Sequence, residues 1–237
     1  MGTVLITGAN RGIGLEFCRQ YAHQGWQVLA CCRQPEQAVE LKQLANSMSI
    51  EIHKMDVTNR NGIDELANRL ENQAIDLVIA NAGIYGDSSG HGFGRLNYEN
   101  WIKTLQTNVL GAVKVIEALL ANLRLSSKPR IAVLSSQMGS IDDNSSGGSI
   151  LYRSSKSALN ATMKSVAIDL ESEGMGVLIF HPGWVQTDMG GMQALIDANT
   201  SVAGMIKQIS CFNIQNTGQF IKYDGTSCHG KSIPCLN

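Results

Sequence analysis

Tyr152 and Lys156 stand four positions apart in a segment with helical periodicity, so they share one helix face. That spacing has a chemical use. A free phenol has a pKa of about 10 and is a poor proton donor or acceptor near neutrality. A nearby ammonium stabilises the phenolate and lowers that pKa. Ser135 and Ser136 end an apolar run that reads as a strand, where a hydroxyl can hold a carbonyl oxygen. The Tyr-x-x-x-Lys spacing alone recurs by chance. Its weight here comes from the serines before it and from a glycine turn far upstream.

That turn is Thr7-Gly8-Ala9-Asn10-Arg11-Gly12-Ile13-Gly14, set between a short apolar run and a helical stretch. A tight turn needs glycine, the backbone must approach a pyrophosphate closely, and a helix N-terminus offers free N–H groups to an anion. The spacing is GxxxGxG rather than the GxGxxG of the standard dinucleotide fingerprint, but its place between a first strand and a first helix fits a dinucleotide site. The end of the second strand chooses the dinucleotide. An acid there would bind the ribose 2′-hydroxyl of NAD. The segment Leu29-Ala30-Cys31-Cys32-Arg33 has none. Arg33 is available for a 2′-phosphate and Arg11 adds a second positive charge, which favours NADP. The positive nicotinamide of the oxidised cofactor would join Lys156 in lowering the Tyr152 pKa.

Short apolar runs carry these residues: Val4–Thr7, Gln27–Cys31, Ile50–Lys54, Leu77–Ala80, Ile131–Ser135, Val177–Phe180 and Gln219–Ile221. Most are unbroken rather than alternating, as expected of strands buried on both faces. Between them lie helical patterns, such as Val109, Val113, Ile116, Leu120 and Leu123, and Leu159, Met163, Val166 and Leu170. The alternation predicts an α/β, doubly wound sheet of about seven parallel strands with helices on both faces. Gly and Ser cluster at 83–94 and 139–149. Both clusters follow strands, where open α/β sheets bind ligands.

The chain has 237 residues with a net charge of −1, 43% hydrophobic and 16% charged residues. Residues 1–237 read as a single domain. The charge balance argues against a nucleic-acid partner and the composition against disorder. No apolar run is long enough for a membrane span, and Val4 to Ile6 is too short for a signal-peptide core, so a cytoplasmic location is expected. The six cysteines form neither a disulfide framework nor a zinc pattern. Cys228-His229 near Cys235 is the one faintly metal-like group, and no metal is expected. His181, before Pro182 at a strand end, reads as packing or hydrogen bonding rather than acid–base chemistry. Asp142-Asp143 reads as a solvated loop.

In order, the motifs are TGxxxGxG at 7–14, Asp56-Val57 after the third strand, Asn81-Ala82-Gly83 after the fourth and Asn108 opening a long helix. Ser135-Ser136, Tyr152, Lys156 and Pro182-Gly183 with Thr187 follow. This ordered set resembles the single-domain short-chain dehydrogenase/reductase family over nearly the whole chain. Within it, the 152–160 stretch, the 184–191 segment and Tyr223-Asp224-Gly225 are most similar to the C-factor and sniffer-like carbonyl reductases. The resemblance implies a Rossmann fold and an NADPH-dependent reduction of a ketone or aldehyde. Tyr152 would be the proton donor, Lys156 would hold the nicotinamide ribose and Ser136 the substrate oxygen, and Asn108 would anchor a water in the proton relay. Gly8, Asn10, Arg11, Gly12, Ile13, Gly14 and Arg33 would hold the phosphates. Asp56 and Val57 would border the adenine, Asn81, Ala82 and Gly83 the adenosine side. Pro182 and Gly183 would border the nicotinamide, with Val185 and Thr187 reaching its carboxamide or the phosphates.

The chain departs from the family in places: its fourth-strand motif, Ala80-Asn81-Ala82-Gly83, lacks a leading Asn seen in many members, and the tail after Gly225 is short and cysteine-bearing. Ser136 lies sixteen positions before Tyr152, farther than in most members, which implies an insertion in the 139–150 loop. Tyr85, Phe93, Met138, Trp184, Met189 and Met192 would give the substrate pocket an apolar, adaptable lining. The helices at 108–124 and 152–171 have family counterparts in subunit interfaces, so a homodimer or homotetramer is expected. Two rivals remain. A dinucleotide-binding signalling protein of C-factor type would keep the fold with little turnover. An extended epimerase or dehydratase would need a substrate domain, for which the stretch after Pro182 is too short.

Overall fold

A computed structural model describes residues 2–228. His229 and Cys235 lie outside the described residues. Among those described, Cys18, Cys31, Cys32, Cys211 and Cys228 are free thiols, and no cluster of His, Cys, Asp or Glu could hold a metal ion.

Seven strands form one parallel sheet in the order β3-β2-β1-β4-β5-β6-β7. They are β1 (Thr3–Thr7), β2 (Gln27–Cys32), β3 (Ile50–Lys54), β4 (Leu77–Ala80), β5 (Arg130–Leu134), β6 (Gly176–His181) and β7 (Gln219–Lys222). Each matches a predicted run within about a residue at either end, and for most of them an unbroken run with no polar alternation suits a strand covered on both faces. Adjacent residues then face opposite layers. Leu5, Leu29, Val78, Ile131, Val133, Val177 and Ile179 pack in one core. That core also takes Ile63 and Leu66 of α3 (Arg60–Arg69), Val115 and Ile116 of α5 (Ala112–Ala118), and Leu159 and Met163 of α7 (Ile150–Glu171). Their neighbours Val4, Ile6, Val28, Ala30, Ile79, Ala132 and Phe180 build the other core. There they meet Phe17 and Tyr21 of α1 (Gly12–His23), Leu41 of α2 (Val39–Ala45), and Val202, Met205 and Ile209 of α8 (Ala198–Ser210).

The strand order reverses at β1. The chain runs outward through β2 and β3, then returns so that β4 pairs with the other edge of β1. The connections leaving β1 and β4 therefore diverge and open a crevice beyond the carboxyl ends of the strands, the usual ligand position in open α/β sheets.

One helix differs from expectation. The periodic stretch at 108–124 is not a single helix beginning at Asn108. It is preceded by α4 (Tyr98–Leu105) and a π-helical turn (Gln106–Gly111), and it continues as α5 and then α6 (Leu120–Arg124). Leu119, at φ −96° and ψ 8°, separates α5 from α6. Asn108 thus sits inside the π turn, a local irregularity that often marks functional positions. No helix among the described residues is long and apolar enough to cross a membrane.

Candidate active site

The crevice floor is the glycine turn between β1 and α1. Gly8 and Gly12 take φ of +65° and +54°, left-handed values that disfavour a side chain. Gly14 is excluded from carrying one by space, since a Cβ there would lie 2.2 Å from the Gly8 carbonyl oxygen. The turn is stapled to β4. Thr7 Oγ1 accepts from the Asn81 and Ala82 N–H groups at 3.0 Å each, and Asn81 Nδ2 donates to the Thr7 carbonyl at 2.8 Å. Asn81 is therefore a cross-strand brace. No side chain caps the start of α1, where extended Arg11 is the N-cap residue and the first turn carries no acid. Its first N–H groups are those an anion would use. Asn10 is exposed and Ile13 half-buried at this rim.

The predicted phosphate-binding arginines differ from one another. Arg33 is exposed just past β2. Arg11 forms an ion pair with Asp188, with side-chain exposures of 67% and 74%. Asp188 belongs to the connection after β6, which folds over the glycine turn: a Cβ on Gly12 would sit 3.2 Å from Thr187 Cγ2. In that connection Gly183 is held at φ +87°, the Pro182 carbonyl accepts from Ser201 Oγ, and Val185 bridges to Ile196. Trp184 Nε1 donates to the Gly190 carbonyl at 2.8 Å. After β3, Asp56 Oδ1 accepts from Thr58 N at 2.9 Å and Thr58 Oγ1 at 2.7 Å, while Val57 is buried in the core.

The opposite end of the crevice brings the predicted catalytic residues together. Ser136 caps the short 3₁₀ turn Gln137–Gly139, accepting from Met138 N at 3.2 Å. Tyr152 and Lys156 point inward from α7 and are 9% and 5% exposed. The Lys156 ammonium lies 5.7 Å from the Tyr152 ring centroid and donates to the Leu134 carbonyl at 2.8 Å. Gly83 lies against the same cluster: a Cβ there would press on Asn108 Oδ1 at 3.3 Å. Asn108 ties the parts together. Its Oδ1 accepts from Ile84 N at 2.8 Å, and its Nδ2 donates to the Ile84 carbonyl at 2.8 Å and to Ser155 Oγ at 2.9 Å.

The electrostatics of this cluster run against one expectation. Lys156 does not bring the Tyr152 pKa down here. Burial raises the phenol to about 12, against a lowering from Ser136 and with a further rise from Tyr85. Burial likewise lowers Lys156 to about 8. Desolvation disfavours the charged form of each group. Tyr152 is consequently protonated at neutral pH, as a proton donor must be. His181 is pushed down to about 4 by burial first and then by Lys222, so it stays uncharged.

Residues missed in the sequence complete the site: Thr7, Ser155, Asp188, and Asp87 of the loop after β4. Thr7 lay inside the glycine motif and could have been weighed from it. The others act through contacts that no local spacing reveals. Elsewhere, a cavity of about 700 Å³ lies on another side of α7, lined by residues that include Gly139, Ser157, Asn160, Lys164 and Phe220. Neither Ser136 nor Tyr152 is in its wall.

Known proteins share this arrangement. The short chain dehydrogenase family model matches residues 2–195. The C-signal protein of Myxococcus xanthus is 41% identical over 152 residues, spanning 64% of this chain and 90% of that protein. Among solved structures, the carbonyl reductase Sniffer of D. melanogaster superposes with a TM-score of 0.90 at 34% identity, covering 98% of this chain and all of its own. The NADPH-bound carbonyl reductase from chicken fatty liver gives a TM-score of 0.88 at 31% identity, with 98% of each chain covered. With its parallel sheet, glycine turn and Ser136–Tyr152–Lys156 cluster, the chain belongs to the short-chain dehydrogenase family.

Proposed function

We propose that this protein is an NADPH-dependent carbonyl reductase, acting as one dinucleotide-binding domain. The observation that carries the reading is the buried pair on one face of α7, with the Lys156 ammonium 5.7 Å from the Tyr152 ring and anchored on the Leu134 carbonyl beside the crevice. The residues fit the cofactor. The start of α1 has no side-chain cap, Gly14 could carry no Cβ, and Arg11 and Arg33 stand where a 2′-phosphate needs positive charge. When bound, NADPH supplies the hydride for the carbonyl carbon.

The protein's own residues do the rest. Ser136 donates to the substrate oxygen and orients it towards Tyr152. Tyr152 gives that oxygen its phenolic proton as negative charge develops there. Lys156, charged below about pH 8, holds the nicotinamide ribose and stabilises the phenolate left behind. Gly8, Asn10, Gly12, Ile13 and Gly14 hold the pyrophosphate. Asp56, Val57, Asn81, Ala82 and Gly83 line the adenosine side. Pro182, Gly183, Val185 and Thr187 border the nicotinamide. Asn108 fixes the β4 connection to α7 and orders the relay beside Lys156. Exposed Trp184, Met189 and Met192 favour an apolar ketone or aldehyde. The location is cytoplasmic. Exposed Ile102, Leu110 and Ile168 support a homodimer or homotetramer, and a monomeric mass by light scattering would refute that assembly.

The similarity to C-signal favours a second reading, in which dinucleotide binding serves signalling with little turnover. One experiment separates the two. NADPH and NADH are titrated by fluorescence, then apolar ketones, aldehydes and quinones are offered as substrates. Tight NADPH binding with turnover supports the reductase. Tight binding with no turnover on any member favours signalling, and a preference for NADH contradicts the roles given to Arg11 and Arg33.

A further inference from the structure

The start of α7 is unusual for the helix that carries Tyr152. Ser149, the residue before it, sits at φ +46° and its side chain makes no cap bond. The helix is capped from outside. Asp87, in the connection after β4, accepts the Leu151 N–H through Oδ1 at 3.2 Å and the Tyr152 N–H through Oδ2 at 2.8 Å. The same connection grips the helix twice more. Tyr85 Oη bonds Ser149 Oγ at 2.6 Å, and the Tyr85 ring lies 4.9 Å from the Tyr152 ring. One residue earlier, both backbone polar groups of Ile84 are held by Asn108.

We propose that Asp87 is the positioning residue of Tyr152: its carboxylate locks the tyrosine's own backbone amide and so fixes the first turn of the helix from which the phenol projects. The inference rests on Tyr152 being the proton donor. Two arguments support it. A carboxylate at a helix N-terminus satisfies otherwise unpaired N–H groups and complements the helix dipole, so the first turn is fixed. The same loop also lays the Tyr85 ring on the Tyr152 ring, so fixing the loop against the helix fixes the phenol as well. The other ionisable groups around Tyr152 are Lys156 and Arg153 on its own helix and Tyr85 on the facing loop. Arg153 is turned towards the Met138 carbonyl and Ser146 Oγ.

The test compares Asp87→Ala, which removes the cap, with Asp87→Asn, which removes the charge but keeps an acceptor. Protein carrying ¹³C at tyrosine Cζ is examined by NMR at about pH 7. The Tyr152 resonance is assigned through Tyr152→Phe. Asp87→Ala is expected to shift the Tyr152 resonance, and Asp87→Asn, which keeps an acceptor, to shift it less. With NADPH and benzaldehyde, Asp87→Ala is expected to lose about tenfold in kcat, with KM for NADPH unchanged. A Tyr152 resonance unchanged in Asp87→Ala overturns the proposal, whatever the melting temperature of the variant. The two readings fail separately. Full turnover by Tyr152→Phe removes the proton donor itself. An inactive Tyr152→Phe beside Asp87 variants that match wild type removes only the role of Asp87.

Discussion

The two ends of the crevice are built differently. At the Tyr152 end the working side chains are buried and each is bonded to backbone or to another member of the cluster: Lys156 to the Leu134 carbonyl, Asn108 to Ile84, Ser136 to Met138 N. At the phosphate end the charges stand in solvent, and Arg11 is paired with an equally exposed Asp188. Folding fixes the first end in advance. The second is a set of screened charges whose pairings exchange at little cost. Substitutions at the buried end should therefore change the rate of chemistry, and those at the exposed end should change cofactor affinity and its salt dependence.

The largest effect that sharpens this contrast is expected at Lys156. Lys156→Met keeps most of the volume and removes the ammonium, so kcat should fall about 10²-fold. Burial already disfavours that charge, so the melting temperature should hold or rise. A matching loss of stability would show that the lysine serves the fold rather than the reaction. The pH profile comes next. The folded pKa of Lys156 is lowered to about 8, so its charged form is present below that pH and lost above it. Carbonyl reduction should decline above about pH 8, while Tyr152, raised to about 12, stays protonated. A rate flat to about pH 10 would contradict this assignment.

Smaller effects belong to the exposed end. Arg33→Ser should weaken NADPH binding about tenfold and leave NADH unchanged, read by fluorescence titration. Equal losses for both cofactors would remove the 2′-phosphate role. Asp188→Asn frees Arg11 and should tighten NADPH about twofold at low salt, an advantage that vanishes at high salt. No gain at low salt would show that Arg11 does not reach the phosphate.

The same contrast explains what could be read in the chain before its structure. Strands such as Thr3–Thr7 and Leu77–Ala80 fall within a residue of the runs expected, because an unbroken apolar run between polar segments has one good solution in a covered parallel sheet. The glycine turn and the Tyr152–Lys156 face are local, set by spacings within one turn or one helix. Asn108 was placed at a helix start because apolar periodicity does not register a π turn, which shifts the pattern by a single residue. Asp87 escaped because its bonds reach residues 64 and 65 positions away, and the Arg11–Asp188 pair because it spans 177. The sign of the electrostatic effect at Tyr152 was hidden for a different reason. Spacing shows that an ammonium and a phenol share a face, but burial decides which charge survives there, and burial is a property of the whole fold.

The central claim is that Tyr152 delivers the proton during carbonyl reduction by NADPH. Its most direct test sets Tyr152→Phe beside the wild type, with NADPH affinity read by fluorescence and turnover read on an apolar aldehyde or quinone that the wild type reduces. Turnover abolished with NADPH binding intact is the expected result. A phenylalanine variant that binds NADPH and still reduces the substrate at the wild-type rate would contradict it.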